Sequence, residues 1–268
     1  IYHMHWDGVR WWGPYNVSRT TSGVSSLPAI TATPDGSVHI VWADTSPGYS
    51  VIYYARGQAP VYETQMVPGA TGSAPSLALT DGAVVHIAWQ DADNGSPELE
   101  IYYTVRRPDG RWDFAQNVSA SPGIDSRSPD LTVEEAELRL VWQEAGESRT
   151  VRTVHGHSGW WPEPAGVSPE SEAAYLPAVA AADGVTHFVW DTGAAVRLVQ
   201  WYSATAIWPQ PLALVEGADE VTEAAVAAGE GKVAHVVWAQ RQGDQWGVYY
   251  AEHAFQPAFM GHLPKAGK

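Results

Sequence analysis

Five tryptophans, Trp42, Trp89, Trp142, Trp190 and Trp238, are each followed within two residues by an oxygen-bearing side chain: Asp44, Asp91, Glu144, Asp191 and, in the last case, Gln240. Four carboxylates in a recurring position suit two chemistries. Gathered on one rim, they would offer a hard cation such as Ca²⁺ the oxygen ligands it prefers. Taken as a pair, they would serve as the acid and base of a glycosidase, with their separation deciding the stereochemical course. The competing structural reading is that each caps the turn after it through side-chain to backbone hydrogen bonds, and the repetition favours the cap. Asp91-Ala92-Asp93-Asn94-Gly95 has the look of a calcium loop but falls one residue short of the EF-hand spacing.

A second recurring position holds Ser26, Ser73, Arg127, Tyr175 and Thr222, each two residues ahead of a proline or, once, an alanine. The set is polar and asymmetric, with one aromatic and one guanidinium, which suits a sugar or an acidic peptide; ordinary loop residues are the alternative. His39, His86, His187 and His235 occupy equivalent places in separate repeats. Metal-binding histidines must converge on one point, so these four are expected to pack between sheets, each hydrogen-bonded to a neighbour. His155 and His157, like His3 and His5, read as surface pairs. Exposed indoles among Trp11, Trp12, Trp160, Trp161, Trp201, Trp208 and Trp246 could stack on a pyranose face, although packing should absorb most of them. No Ser/His/Asp constellation, phosphate-cradling loop or HExxH motif occurs.

The elements that must position these residues follow from one repeat. Val38-His39-Ile40-Val41-Trp42 returns as Val85-His86-Ile87-Ala88-Trp89, Leu138-Arg139-Leu140-Val141-Trp142, Thr186-His187-Phe188-Val189-Trp190 and Ala234-His235-Val236-Val237-Trp238. A period of about fifty residues marks a repeat architecture. Each copy is short, apolar, β-branched and aromatic, which predicts a strand buried on both faces. Strand a, led by Pro28, Pro75, Pro129, Pro177 or Ala224, precedes it, across a glycine-containing turn in four of the five copies. Strand c follows at Val51-Ile52-Tyr53-Tyr54, Ile101-Tyr102-Tyr103 and their counterparts, and strand d starts near Trp112, Trp161 or Trp208, with Tyr62 in that place in the first copy. Four antiparallel strands per unit predict a β-propeller blade. Residues 170–182 and 221–228 are alanine-rich and helical by propensity, but the repeat makes them loop and strand a.

The expectation is an all-β, single-domain propeller over residues 1–268, with units at about 27–68, 74–119, 128–168, 176–215 and 223–260. Residues 1–18 read as a half unit, because Ile1-Tyr2, Trp11 and Asn16-Val17-Ser18 mirror Ile101-Tyr102, Trp112 and Asn117-Val118-Ser119. Five four-stranded blades is the favoured count; six, with an N-terminal half blade completed by an upstream strand pair, is the alternative.

On these residues the chain resembles the BNR or Asp-box β-propellers of the sialidase-like superfamily, along nearly its whole length. The family's box, Ser/Thr-x-Asp-x-Gly-x-Thr-Trp, lies in the turn between strands c and d. Asp7-Gly8-Val9-Arg10-Trp11 and Asp109-Gly110-Arg111-Trp112 hold that place with compressed spacing, and Ser158-Gly159-Trp160 keeps only the glycine and aromatic. The resemblance implies a propeller whose catalytic members use three arginines, a Tyr–Glu nucleophile pair and an Asp acid/base. The family's Arg-Ile-Pro motif is replaced here by Ser26-Leu27-Pro28, and among twelve arginines only Arg127 falls on a strand-a approach.

Composition bounds the partners. The net charge of −15 disfavours nucleic acid and anionic membranes, both of which select basic surfaces. Zero Cys excludes disulfides, zinc thiolates and cysteine nucleophiles. No apolar run reaches the ~18 residues of a membrane span, so no membrane insertion is expected. Ile1 opens no charged and apolar leader, so any signal peptide is expected to lie outside this sequence. The expected protein is therefore an extracellular or cell-surface module, monomeric or part of a larger chain, with a carbohydrate or protein ligand and no cofactor beyond the Ca²⁺ already weighed. A non-catalytic binding role is the leading expectation; a sialidase-like glycoside hydrolase and a structural spacer are the alternatives.

Overall fold

The computed structural model describes residues 1–80, 83–92, 97–157, 159–202 and 208–255, and every regular element among them is a β-strand. The first hairpin is β1 (Tyr2–Trp6) with β2 (Trp11–Asn16). Four four-stranded antiparallel sheets follow. They are β3 (Ser25–Ala32), β4 (Val38–Asp44), β5 (Val51–Gln58) and β6 (Val61–Thr71); then β7 (Ser73–Thr80), β8 (Val84–Ala92), β9 (Leu99–Arg106) and β10 (Gln116–Asn117). The next are β11 (Asp125–Glu134), β12 (Glu137–Ala145), β13 (Arg149–Gly156) and β14 (Ala165–Gly166); then β15 (Tyr175–Ala182), β16 (Val185–Asp191), β17 (Val196–Tyr202) and β18 (Leu212–Val215). A three-stranded sheet of β19 (Glu220–Gly229), β20 (Val233–Gln242) and β21 (Gln245–Ala254) closes the series. Strand d expected for this last sheet falls beyond residue 255, outside the described residues. The alanine-rich stretches are strands, as the repeat required: tertiary packing overrides the helical propensity of alanine.

The sheets stand side by side through their first strands, with β3 packed on β7, β7 on β11, β11 on β15 and β15 on β19. Strand b of each inner sheet is buried on both faces, which is why its apolar residues run without alternation. Trp42, Trp89, Trp142 and Trp190 are fully buried. Removing any one of these indoles costs ~3–5 kcal/mol. Trp42 and Trp89 stack on the strand-c tyrosines Tyr53 and Tyr102, with ring centroids 5.6 and 5.9 Å apart.

The strand-b histidines bond within their own sheets rather than across to a neighbouring one. His39 Nδ1 lies 2.8 Å from the Tyr54 hydroxyl, His86 Nδ1 2.7 Å from that of Tyr103, and His235 Nδ1 2.7 Å from that of Tyr250. His187 meets the Gln200 amide at 3.1 Å. Burial lowers the pKa of His39, His86 and His187 to about 4, so all three are neutral at pH 7.

A bulge recurs in every strand a, where the register slips between Ser26 and Ala29, Ser73 and Ser76, Arg127 and Asp130, Tyr175 and Ala178, and Thr222 and Ala225. The residue inside each slip is left-handed: Leu27 (φ 52°), Ala74 (49°), Ser128 (52°), Leu176 (44°) and Glu223 (56°). Proline lacks an N–H and interrupts the ladder here in four copies. The fifth copy bulges with Ala224 instead, so proline is not the sole cause. Asp130 ties three sheets together just past its bulge. Its carboxylate accepts the Ser76 hydroxyl at 2.9 Å, the Leu131 amide at 3.0 Å and the Val179 amide at 2.9 Å.

Candidate functional site on the loop face

The antiparallel register brings the start of strand a, the end of strand b, the start of strand c and the end of strand d to one end of each sheet. In the first sheet Ser25 pairs with Asp44, Asp44 with Val51 and Val51 with Thr71. The loops between d and a and the turns between b and c therefore share one face. Ser26, Ser73, Arg127, Tyr175 and Thr222 all stand on this face, one per sheet, each immediately before the left-handed residue of its bulge.

Their surroundings differ. Ser73 accepts from Gln90 Nε2 at 3.1 Å, while Gln90 Oε1 accepts the Ser128 amide of the next sheet at 2.8 Å. Gln143 Oε1 takes the Leu176 amide at 3.4 Å in the same way. Arg127 Nη2 donates to Asp125 at 2.6 Å and its side chain is about half exposed. The guanidinium of Arg149, at the start of β13, lies 4.9 Å from the centre of the Tyr175 ring. Ser26 and Thr222 are half-buried. Leu27 and Leu176, which the sequence pattern did not single out, are exposed on this face at 55% and 39% because the left-handed bulge turns them outward. Tyr49, in the first b–c turn, is also exposed. The face thus joins polar groups, the cations Arg127 and Arg149, and several apolar surfaces.

The carboxylates two residues beyond the strand-b tryptophans are largely engaged by the fold. Asp44 accepts the Trp42 indole N–H at 3.1 Å, the Ser25 hydroxyl at 2.7 Å and the Ser46 amide at 2.8 Å. Burial opposes ionisation of Asp44, but its hydrogen bonds outweigh that and hold the pKa below the usual value. Glu144 accepts the Trp142 indole at 3.4 Å and lies 3.5 Å from Arg152, with burial raising its pKa and Arg152 offsetting part of the rise. Gln240 does the same for Trp238 at 3.1 Å, and Asp91 accepts the Thr71 hydroxyl. The shared task of Asp44, Glu144 and Gln240 is to satisfy a buried indole N–H. Among the described residues no three His, Asp or Glu side chains form a group that could hold a metal ion. Residues 93–95 of the Asp91 to Gly95 segment lie outside the described residues.

Asp191 is different. It follows its tryptophan by one residue rather than two, and successive strand residues face opposite sides, so it does not share the position of Asp44. It pairs with Tyr175, as Gln90 pairs with Ser73 and Gln143 with Arg127. A carboxyl group thus stands where two other sheets place a bridging amide. Its Oδ1 accepts the Gly193 amide at 3.0 Å, while Oδ2 is buried with no hydrogen-bond partner. The residue is 3% exposed and burial raises its pKa to about 6. The signal was available in the sequence: read strictly by register, the position runs Ala43, Gln90, Gln143, Asp191, Ala239.

The box-like turns lie at the opposite end of the sheets. Asp7 Oδ1 accepts the Val9 and Arg10 amides, both at 2.8 Å, and Oδ2 accepts the Trp12 indole at 2.6 Å. Asp109 takes the Arg111 amide at 3.0 Å. Both carboxylates staple a turn.

No protein-family model matches the chain, and no curated protein matches it. Solved structures do. An α-L-arabinofuranosidase from Lactobacillus brevis aligns with a TM-score of 0.52 at 14% identity, over 84% of this chain and 90% of that one. A subtype N10 neuraminidase-like protein of A/little yellow-shouldered bat/Guatemala/060/2010 gives 0.53 at 6% identity, over 81% and 91%. The Trypanosoma rangeli sialidase gives 0.50 at 9% identity, over 84% of this chain and 53% of its own. The likeness defines the class of fold: an all-β propeller type shared with sialidase-like, neuraminidase-like and family-43 glycoside hydrolase structures.

Proposed function

We propose that this protein is an extracellular or cell-surface module that recognises carbohydrate through its loop face, without catalysis. The observation that carries the reading is the bulged register position. It presents a different side chain from each sheet, with Arg127, the Tyr175–Arg149 pair and the exposed Leu27 and Leu176 between polar serines and threonine. A sugar offers both hydroxyls and an apolar ring face, and this mixture matches both. A protein ligand with acidic side chains is the other occupant that Arg127 and Arg149 would suit. The carboxylates engaged by indoles and turns argue for binding that does not depend on Ca²⁺.

Asp191 favours a second reading. A buried carboxyl with a free oxygen and a pKa near 6 has the properties of a general acid, and several proteins of similar fold are described as glycoside hydrolases. A glycan array, run with and without millimolar Ca²⁺ beside fluorogenic sialoside and arabinofuranoside substrates, separates the two. Binding without turnover supports the module. Turnover that is lost in Asp191→Asn establishes the hydrolase instead.

A further inference from the structure

The junctions between successive sheets repeat one interface, and the two ends of the series leave it open. Ahead of each strand-b tryptophan, Val41, Ala88, Val141 and Val189 are 0% exposed because the next sheet covers them; Val237, their equivalent in the last sheet, is 42% exposed. Tyr54 and Tyr103 are each 1% exposed, whereas their equivalent Tyr250 is 58% exposed. At the other end of the series, Leu77, Leu131 and Val179 are at most 7% exposed, while Ile30, in the same place in β3, is 55% exposed. Among the described residues, no packing like that between β15 and β19 joins β19 to β3.

Part of the opening is already covered. The hairpin β1–β2 lies over the outer part of the first sheet as strands c and d of a preceding sheet would. The Val17 amide donates to the Ile1 carbonyl at 2.8 Å, as the Val118 amide does to that of Ile101 at 2.7 Å. His3 meets Tyr62 edge-on at 5.9 Å, as Tyr103 meets Trp161 at 4.8 Å. Among the described residues this unit therefore has its outer strand pair and no inner one. The consequence shows at Tyr2: its counterpart Tyr102 stacks on Trp89, but Tyr2 is 67% exposed along the free edge of β1.

We propose that this opening receives an inner β-hairpin of the same repeat, supplied by sequence outside residues 1–268. The hairpin pairs with β1, sets its strand-b tryptophan against Tyr2, and covers Ile30 on one side and Val237 on the other. It brings the ring to six sheets. At every other junction strands a and b pack on the faces equivalent to those of Ile30 and Val237, and free sheet edges favour pairing with a strand.

The test supplies such a hairpin. A copy of residues 125–148, which carries strands a and b and the b–c turn of the third sheet, is fused ahead of Ile1. The fused chain is expected to stay monomeric and to melt at least ~5 °C higher than the parent, in line with ~2–4 °C per kcal/mol for domains of this size. Val237→Lys should abolish most of that gain while moving the parent by less than ~2 °C, since Val237 is uncovered there. The same segment, added in trans as a synthetic peptide, should raise the parent's Tm in the same direction even if the fusion misfolds. No shift in either format overturns the proposal. So does a parent chain that is a dimer converted to monomer by Val237→Lys, because a second copy would then cover the face.

Discussion

Replacing Asp191 with asparagine should stabilise the protein at pH 7. In the unfolded chain the carboxyl titrates near 3.8, and in the folded state at about 6. The folded state therefore holds this proton more tightly. Ionisation destabilises the fold progressively as pH rises from about 4 to about 6, and by a constant amount above. A rise in pKa of this size corresponds to ~3 kcal/mol. An asparagine at this position would keep the acceptor for the Gly193 amide and remove the buried charge. Asp191→Asn should accordingly gain up to ~3 kcal/mol at pH 7 and nothing at about pH 4. Urea denaturation of both proteins at the two pH values measures it, and the other titrating groups cancel in the difference. A variant that is no more stable at pH 7, or equally stabilised at both pH values, would refute the argument. If Asp191 also donates a proton to a bound glycoside, the stabilised variant will have lost turnover, the usual mark of a strained functional group.

Three further outcomes are expected. His39, His86 and His187 have folded pKa values of about 4, below the unfolded value of 6.5, so the stability they permit is full above pH 6.5 and falls as pH drops toward 4, by ~3 kcal/mol each. Their combined loss exceeds the gain from protonating Asp191, and His86→Gln should flatten the pH dependence of Tm between 6.5 and 4. Asp130→Ala leaves the Val179 amide and the Ser76 hydroxyl without their shared acceptor, while the Leu131 amide keeps its bond to Ser76 Oγ, and should cost ~3 kcal/mol in chemical denaturation. Arg127→Ala, on the exposed rim, should leave Tm within ~2 °C but weaken glycan binding about tenfold, read by calorimetry.

Much of the fold could be read from the sequence because each repeat carries its own signal. The Trp-ended runs mark strands covered on both faces, and their spacing survives in alanine-rich stretches where local propensity points the other way. The match of Ile1-Tyr2 to Ile101-Tyr102 likewise anticipated the hairpin of β1 and β2. The bulges were less visible, since a proline announces a broken ladder but not the left-handed residue before it, nor the turning of Leu27 and Leu176 toward solvent. Asp191 was hidden by counting acids after a tryptophan rather than counting register. One residue of offset moves a side chain to the other face of a sheet, and here it separates an indole acceptor from a buried, half-satisfied carboxyl. The histidines were recognised as packing residues, but their partners sit on the adjacent strand because tyrosine recurs in strand c at a cross-strand reach.

The loop-face claim is tested most directly by glycan binding of the intact chain beside Arg127→Ala and Tyr175→Ala, each measured with and without EDTA. A restricted set of bound glycans, affinity lowered by both substitutions, and no effect of EDTA are expected. Binding that survives both substitutions unchanged, or that vanishes with EDTA, would contradict it.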